Sequence, residues 1–259
     1  MKIDVVIAVK NEASKLNICC TELLKRVPIN NLIIVVGRSK DNTLETAKKY
    51  ANIIVEDENK GIGYARSLGL EKVETDYYGS IDSDVIVSRS WYSWCIRTIK
   101  KPKVGACEGF LWPIGTNCQK VVSMWSKEWI KDYSTQIIDS ENQGCSLGNT
   151  MLRTDIVREV GMPFERWGED NALRKKLASK DYRWVVNYDL LDTHMISDIE
   201  VLLHLLHWSK FKKRDGNFFK ELAGILVHFL DPRKDQDLNL SIYLLLMNLA
   251  DSYRLLVKH

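Results

Sequence analysis

Apolar positions fall into short dense runs separated by stretches of helical spacing. Ile3 to Val9 (IDVVIAV) is an almost unbroken apolar run rich in β-branched residues, the pattern of a strand buried on both faces of a parallel sheet. After Asn11-Glu12 the spacing becomes helical, with Leu16, Leu23 and Leu24 on the stripe. Residues 32–36 (LIIVV) predict a second buried strand, and Asp41 is placed to cap a helix running to Tyr50. Residues 53–55 predict a short third strand. Residues 61–70 (GIGYARSLGL) open another helix, and residues 77–81 predict a fourth strand that runs into Asp82-Ser83-Asp84. Residues 85–150 read as less regular, with a helical pattern over 124–133. Residues 169–177 predict a helix with Leu173 and Leu177 one turn apart, and residues 184–187 a last strand. From about Ile196 the pattern changes to amphipathic helices carrying the basic cluster Lys210, Lys212, Lys213 and Arg214. Strands and helices alternating at this spacing predict an α/β fold with a doubly wound sheet. Its ligands should gather at the carboxyl ends of the strands.

Composition narrows the class. A chain of 259 residues can bury one α/β core with a small appendage, and 45% hydrophobic with 27% charged residues excludes collagen-like and wholly disordered chains. The net charge of +3 makes no case for a nucleic-acid partner. None of the six cysteines has C-x-x-C spacing, which argues against a structural zinc site. With no long apolar core in MKIDVVIAVKNE, they read as reduced thiols of a cytoplasmic protein. The strongly apolar stretches 222–230 and 240–249 are shorter than the roughly 20 residues a bilayer span needs.

Several residues could carry chemistry. Asp82 and Asp84, two apart, would point the same way on an extended chain and could converge on one Mg²⁺ or Mn²⁺. An isolated D-x-D also reads as a polar turn with a capping Asp. Glu169 and Asp170 suit the first turn of a helix, where the dipole favours acids; they equally suit a general base at the mouth of a cleft. Trp167 beside them reads as core or as an aromatic face for a sugar ring. Gly61-Ile62-Gly63 is not a dinucleotide fingerprint, because Arg66 stands where the third glycine belongs and the segment follows the third strand. A helix start whose N–H groups face a nucleotide is still open. His204 and His207 share a helix face, and His194 follows the last predicted strand.

In order along residues 1–197, VVIAVKNE, SKDNT, NKGIGYARSLGL, YYGSIDSDVIV and GNTMLRTDIVREVGMPFERWGEDNALRKKL resemble the family 2 glycosyltransferases. That resemblance implies a GT-A type fold, a doubly wound, mostly parallel sheet with helices on both faces. Residues 1–100 would form the nucleotide-sugar half and 101–197 the acceptor half, with 198–259 as a C-terminal helical extension. It also implies roles. Asp84 would bind a Mn²⁺ or Mg²⁺ ion, with Asp82 assisting or touching the ribose and His194 completing the metal site. Asn11, Glu12, Lys60, Gly61 and Arg66 would line the nucleotide pocket. Asp170 would deprotonate the acceptor hydroxyl, supported by Glu169, and Trp167 would lie on the acceptor side. The implied activity is inverting transfer of a sugar from a UDP- or GDP-sugar to a glycan or lipid-linked acceptor. Where family members carry acids after the second strand this chain reads Val36-Gly37-Arg38-Ser39-Lys40, which leaves the base preference open.

Two other classes compete. A non-catalytic nucleotide-sugar or glycan binding module is suggested by the altered Gly37-Arg38 turn, but such a module needs no base. A sugar-nucleotide pyrophosphorylase would carry a Gly-rich, Arg-containing loop after the first strand, where this chain has Lys10-Asn11-Glu12-Ala13. The helices of 198–259 either pack on the catalytic domain or rest on an anionic membrane surface, peripherally on its cytoplasmic face.

Overall fold

The computed structural model describes residues 1–113, 136–138, 145–164 and 168–196. The chain divides into two compact units, Met1–Trp112 with Trp129–Met195, and Pro113–Glu128 with Ile196–His259. The sheet and its helices build the first unit. The helical pattern over 124–133, Trp167 and the extension 198–259 lie outside the described residues.

The strands are β1 (Ile3–Val9), β2 (Ile29–Gly37), β3 (Ile53–Asp57), β4 (Tyr77–Ile81), β5 (Val85–Ile86), β6 (Val104–Pro113), β7 (Gln136–Ile138), β8 (Asn149–Arg153) and β9 (Arg183–His194). The described helices are α1 (Ala13–Arg26), α2 (Thr43–Tyr50), α3 (Ile62–Glu71), α4 (Trp91–Ile99), α5 (Thr154–Val160) and α6 (Glu169–Ser179). The sheet runs β3-β2-β1-β4-β8-β6-β9-β5, with β7 beside β9. Its first four strands are parallel, joined β1 to β2, β1 to β4 and β2 to β3. The other half is laid on antiparallel, β8 against β4 and β6, and β9 against β5 and β7.

The continuous apolar runs exist because this sheet is covered twice. Ile3, Val5, Ile7 and Val9 of β1 pack with Leu16, Cys20 and Leu23 of α1 and with Trp91 and Cys95 of α4. Val6 of β1 faces the opposite layer, with Ala65 of α3, Val157 of α5 and Leu173 and Leu177 of α6. Each fully buried aliphatic side chain contributes about 1.5–3 kcal/mol. A Cβ on Gly69 would sit 2.3 Å from Cγ1 of Val6, so only glycine lets α3 lie this close to β1. Arg66, almost one turn earlier on α3, is thereby carried towards the carboxyl ends of the strands.

At the other end of β1, Asp4 is fully buried and works as a staple. Its Oδ1 accepts N–H groups from Asn30 (3.0 Å) and Asn31 (2.9 Å), and its Oδ2 accepts those of Glu74 (2.5 Å) and Thr75 (3.1 Å). One carboxylate thus ties the start of β2 and the approach to β4 onto β1.

Four expectations need correction. Leu24 is 49% exposed, because the α1 stripe turns Leu16 and Leu23 inward and Leu24 past its edge. The N-cap position of α2 is Asn42; Asp41 stands one residue earlier, where its Oδ1 accepts the Thr43 N–H at 3.1 Å. The stretch after residue 85 is regular over β5, α4, β6 and β8. The last strand is also longer than 184–187, running on to His194. Among the described residues no helix is long and apolar enough to cross a membrane.

Candidate active site

The carboxyl ends of β1 and β2 meet through a hydrogen-bonded knot. Asn11, with φ of 55°, donates its N–H to Ser39 Oγ (3.0 Å), and its side-chain oxygen accepts the Lys40 N–H at 2.7 Å. Glu12 donates its N–H to Thr43 Oγ1 (3.0 Å), and Ala13 donates to Asp41 Oδ2 (3.1 Å). Asn11 thus shapes the loop that replaces the family's acidic turn. Lys60 is exposed at the neighbouring rim, paired with Glu58 (2.7 Å) and lying 4.9 Å over the ring of Tyr64. Gly61 is the N-cap of α3.

Asp82 and Asp84 have different hydrogen-bond partners. The chain stops being extended at Ile81 and turns, with the Val85 N–H returning to the Asp82 carbonyl at 3.1 Å. The rule that residues two apart face alike holds on a strand, and Asp82 and Asp84 stand beyond the end of β4. Asp82 Oδ1 accepts Arg66 Nη2 at 2.6 Å. Asp84 Oδ2 lies 3.2 Å from His194 Nε2, while its carbonyl accepts the Met195 N–H at 2.7 Å. Between them, Ser83 Oγ donates to Glu12 Oε2.

Arg66 joins Asp82 to Glu169. It is 4% exposed, and its second arm, Nη1, is bonded to Glu169 Oε1 at the first turn of α6. Burial works against the Arg66 charge, but Asp82 and Glu169 more than offset it and leave its pKa raised. Glu169 is itself buried, so it holds Arg66 and is closed to solvent. Asp170 is half-buried beside it, accepting the Asn171 N–H at 2.7 Å. Burial pushes the pKa of both acids up, with Arg66 working against the rise in each. A carboxylate with a raised pKa and partial exposure at a helix start is suited to taking a proton.

Glu12 completes a ring of acids. Burial raises its pKa; the Ser83 hydrogen bond opposes this, and the charge of Asp84 adds to it. At His194 burial disfavours the cation, but the hydrogen bond and charge of Asp84 outweigh it and raise the pKa. The two are hydrogen-bonded, and form an ion pair when His194 is protonated. Asp84 and His194 are the kinds of oxygen and nitrogen donors that Mg²⁺ or Mn²⁺ accepts. No cluster of three or more His, Cys, Asp or Glu able to hold an ion exists among the described residues. An ion here would take two ligands from the chain and the remainder from phosphate and water.

Sequence reasoning missed the supports. Asp192, fully buried two residues before His194, accepts the Ser88 N–H at 2.6 Å and the Asn149 amide at 2.8 Å. Burial pushes its pKa up to about 6. Glu108 on β6, also buried, accepts the Ser146 N–H (2.9 Å) and the Thr150 hydroxyl (3.2 Å), and burial raises its pKa well above the usual range. Only the odd burial of acids inside apolar stretches could have flagged them. A cleft of about 560 Å³, lined from α3, α5 and α6 by residues such as Leu70, Arg158, Phe164 and Lys176, contains none of these acids. The five described cysteines are free and buried.

The sheet order and its helices are those of a GT-A type fold, shared with solved glycosyltransferase structures. Residues 4–161, more than half of the chain, match glycosyl transferase family 2, and the chain belongs to that family. It is 24% identical over 207 residues to the glycosyltransferase AglE of Haloferax volcanii, covering 74% of this chain and 66% of that protein. Its fold is that of the mannosyltransferase PcManGT from Pyrobaculum calidifontis, solved with GDP-Man and Mn²⁺, at a TM-score of 0.62 and 16% identity. That likeness covers 81% of this chain and 63% of the mannosyltransferase, so the chain spans a little under two thirds of it. The glucosyl-3-phosphoglycerate synthase of Mycobacterium tuberculosis, solved with Mn²⁺, UDP and phosphoglyceric acid, matches at a TM-score of 0.56 and 17% identity over 78% of this chain and 73% of that one.

Proposed function

We propose that this chain transfers a sugar from a UDP- or GDP-sugar to an acceptor hydroxyl, with inversion at the anomeric carbon. The observation that carries the reading is Arg66: one buried guanidinium bonds both Asp82 of the D-x-D turn and Glu169 of the Glu-Asp motif. Donor-side and acceptor-side acids are thereby held at a single locus. The solved structures of similar fold contain GDP-Man with Mn²⁺, or UDP with Mn²⁺ or Mg²⁺, which supports a nucleotide-sugar donor and a divalent cation here.

In this reading Asp84 and His194 hold the cation, which when bound neutralises the departing nucleoside diphosphate. Asp82 stays on Arg66 and assists the cation or touches the ribose. Asn11 and Glu12 shape the nucleotide pocket floor through the loop at 39–43, while Lys60 and Gly61 border its rim. Glu169 fixes Arg66, and half-buried Asp170 takes the acceptor proton. One base and no enzyme nucleophile suit a single displacement, hence inversion. The acceptor is a glycan or a lipid-linked molecule, with Trp167 on its side of the site. The catalytic part is residues 1–197, divided near residue 100 between donor and acceptor halves. The extension 198–259 packs on it or rests on the cytoplasmic membrane surface.

The test is donor turnover in the presence of Mn²⁺ or Mg²⁺, followed as nucleoside diphosphate release. Asp84→Ala and Asp170→Asn, both folded, should each lose turnover by at least about a hundredfold. Full activity in either variant would refute the assignment of that residue.

A further inference from the structure

The turn at residues 146–149 touches the D-x-D from a part of the chain that no donor role requires. The Asp82 N–H donates to the Gly148 carbonyl at 2.9 Å. A Cβ on Gly148 would stand 2.6 Å from Asp82 Oδ2 and 3.1 Å from its Cγ, so the turn backbone lies directly against the Asp82 carboxylate. The turn is itself held from two sides. Ser146 Oγ accepts the Gly148 N–H at 3.0 Å, and buried Glu108 accepts the Ser146 N–H at 2.9 Å. Thr150, fully buried just beyond, donates to Glu108 at 3.2 Å and also reaches the Ser146 carbonyl.

We propose that this turn is a positioning element of the donor site, in which Gly148 presses Asp82 onto Arg66 and Glu108 holds the turn in place from β6. The proposal rests on the donor-site reading above. A carboxylate free to rotate would lose its single bond to Arg66. Arg66 would then be free to shift on Glu169, 103 residues further along the chain. The backbone N–H bond and the steric wall at Gly148 remove that freedom before a donor arrives, so less ordering is left for binding to supply. Gly148 touches no reacting atom in this account; it acts through Asp82.

The experiment is calorimetric titration of UDP and GDP, each with Mn²⁺, into the full chain and into Gly148→Ala, Asp82→Ala and the double variant. Gly148→Ala should weaken binding of the preferred diphosphate at least about tenfold, the size of one charge-assisted hydrogen bond lost. In the Asp82→Ala background the same change should cost nothing further, since the carboxylate it displaces is gone. Additive losses in the double variant would overturn the proposal and leave Gly148 a purely structural residue. If Gly148→Ala does not fold, Ser146→Ala carries the test. It removes the acceptor of the Gly148 N–H and should weaken binding severalfold in the wild-type background but not beside Asp82→Ala. A wild-type chain that binds neither diphosphate with Mn²⁺ defeats the donor-site reading and this proposal together. A wild type that binds while Gly148→Ala binds equally well defeats the proposal alone.

Discussion

Arg66 is the residue on which the site turns. A guanidinium with a side chain only 5% exposed survives burial because its two arms meet two carboxylates. Removing it would leave Glu169 charged, buried and unpaired, at a cost of about 3–5 kcal/mol. Arg66→Met should therefore lower the urea midpoint strongly, and Arg66→Lys should not restore it, because an ammonium cannot span both acids as a planar fork does. A full rescue by lysine would contradict the bridging role. Asp170 sets the pH dependence. Its pKa is raised above that of an ordinary Asp, chiefly through burial, and in the proposed reaction its deprotonated form is the base. Lowering the pH through that raised value protonates it, so kcat/KM should fall on the acid side, at a higher pH than an ordinary Asp would give. In Asp170→Asn that dependence should vanish along with most of the rate, and an acid limb persisting in this variant would assign it to another group.

Among the elements, α3 and α6 do the positioning. The approach of α3 depends on Gly69, whose missing Cβ leaves room for Val6. Gly69→Val should cost about 1–3 kcal/mol by overpacking, read as a drop in the chemical-denaturation midpoint. It should also weaken the Arg66 bridge; a variant as stable as wild type would contradict the packing account. The elements also show what a sequence reveals. β1 and β2 are visible because a strand buried on both faces must be apolar throughout, and the observed strands include every predicted position. β8 (NTMLR) is hidden because Asn149 and Thr150 are fully buried by hydrogen bonding, which no hydropathy pattern reveals. β6 is hidden for a similar reason, with Glu108 in its middle. At the site, Asp82, Asp84, Glu169, Asp170 and His194 stand out by type and spacing. Their pairing does not, since it depends on a turn at 82–85 and on an arginine that reached notice only through its place in a motif.

In the molecule as a whole, a parallel half is joined to an antiparallel half that brings in α6 and β9. β9 delivers His194 to Asp84, and α6 delivers Glu169 to Arg66, so the site closes only where both halves meet. The layout implies linkage: a metal and a nucleoside diphosphate should bind together at Asp84 and His194. The most direct measurement is the thermal midpoint of the chain with UDP, GDP, CMP and dTDP, each with and without Mn²⁺ or Mg²⁺, in wild type and Asp84→Ala. A ligand held by the native state alone at a hundred times its dissociation constant stabilises by about 2.7 kcal/mol. The account predicts a rise of several degrees with UDP or GDP that requires the metal and disappears in Asp84→Ala. No rise with any diphosphate, or a rise indifferent to both metal and Asp84, would contradict it.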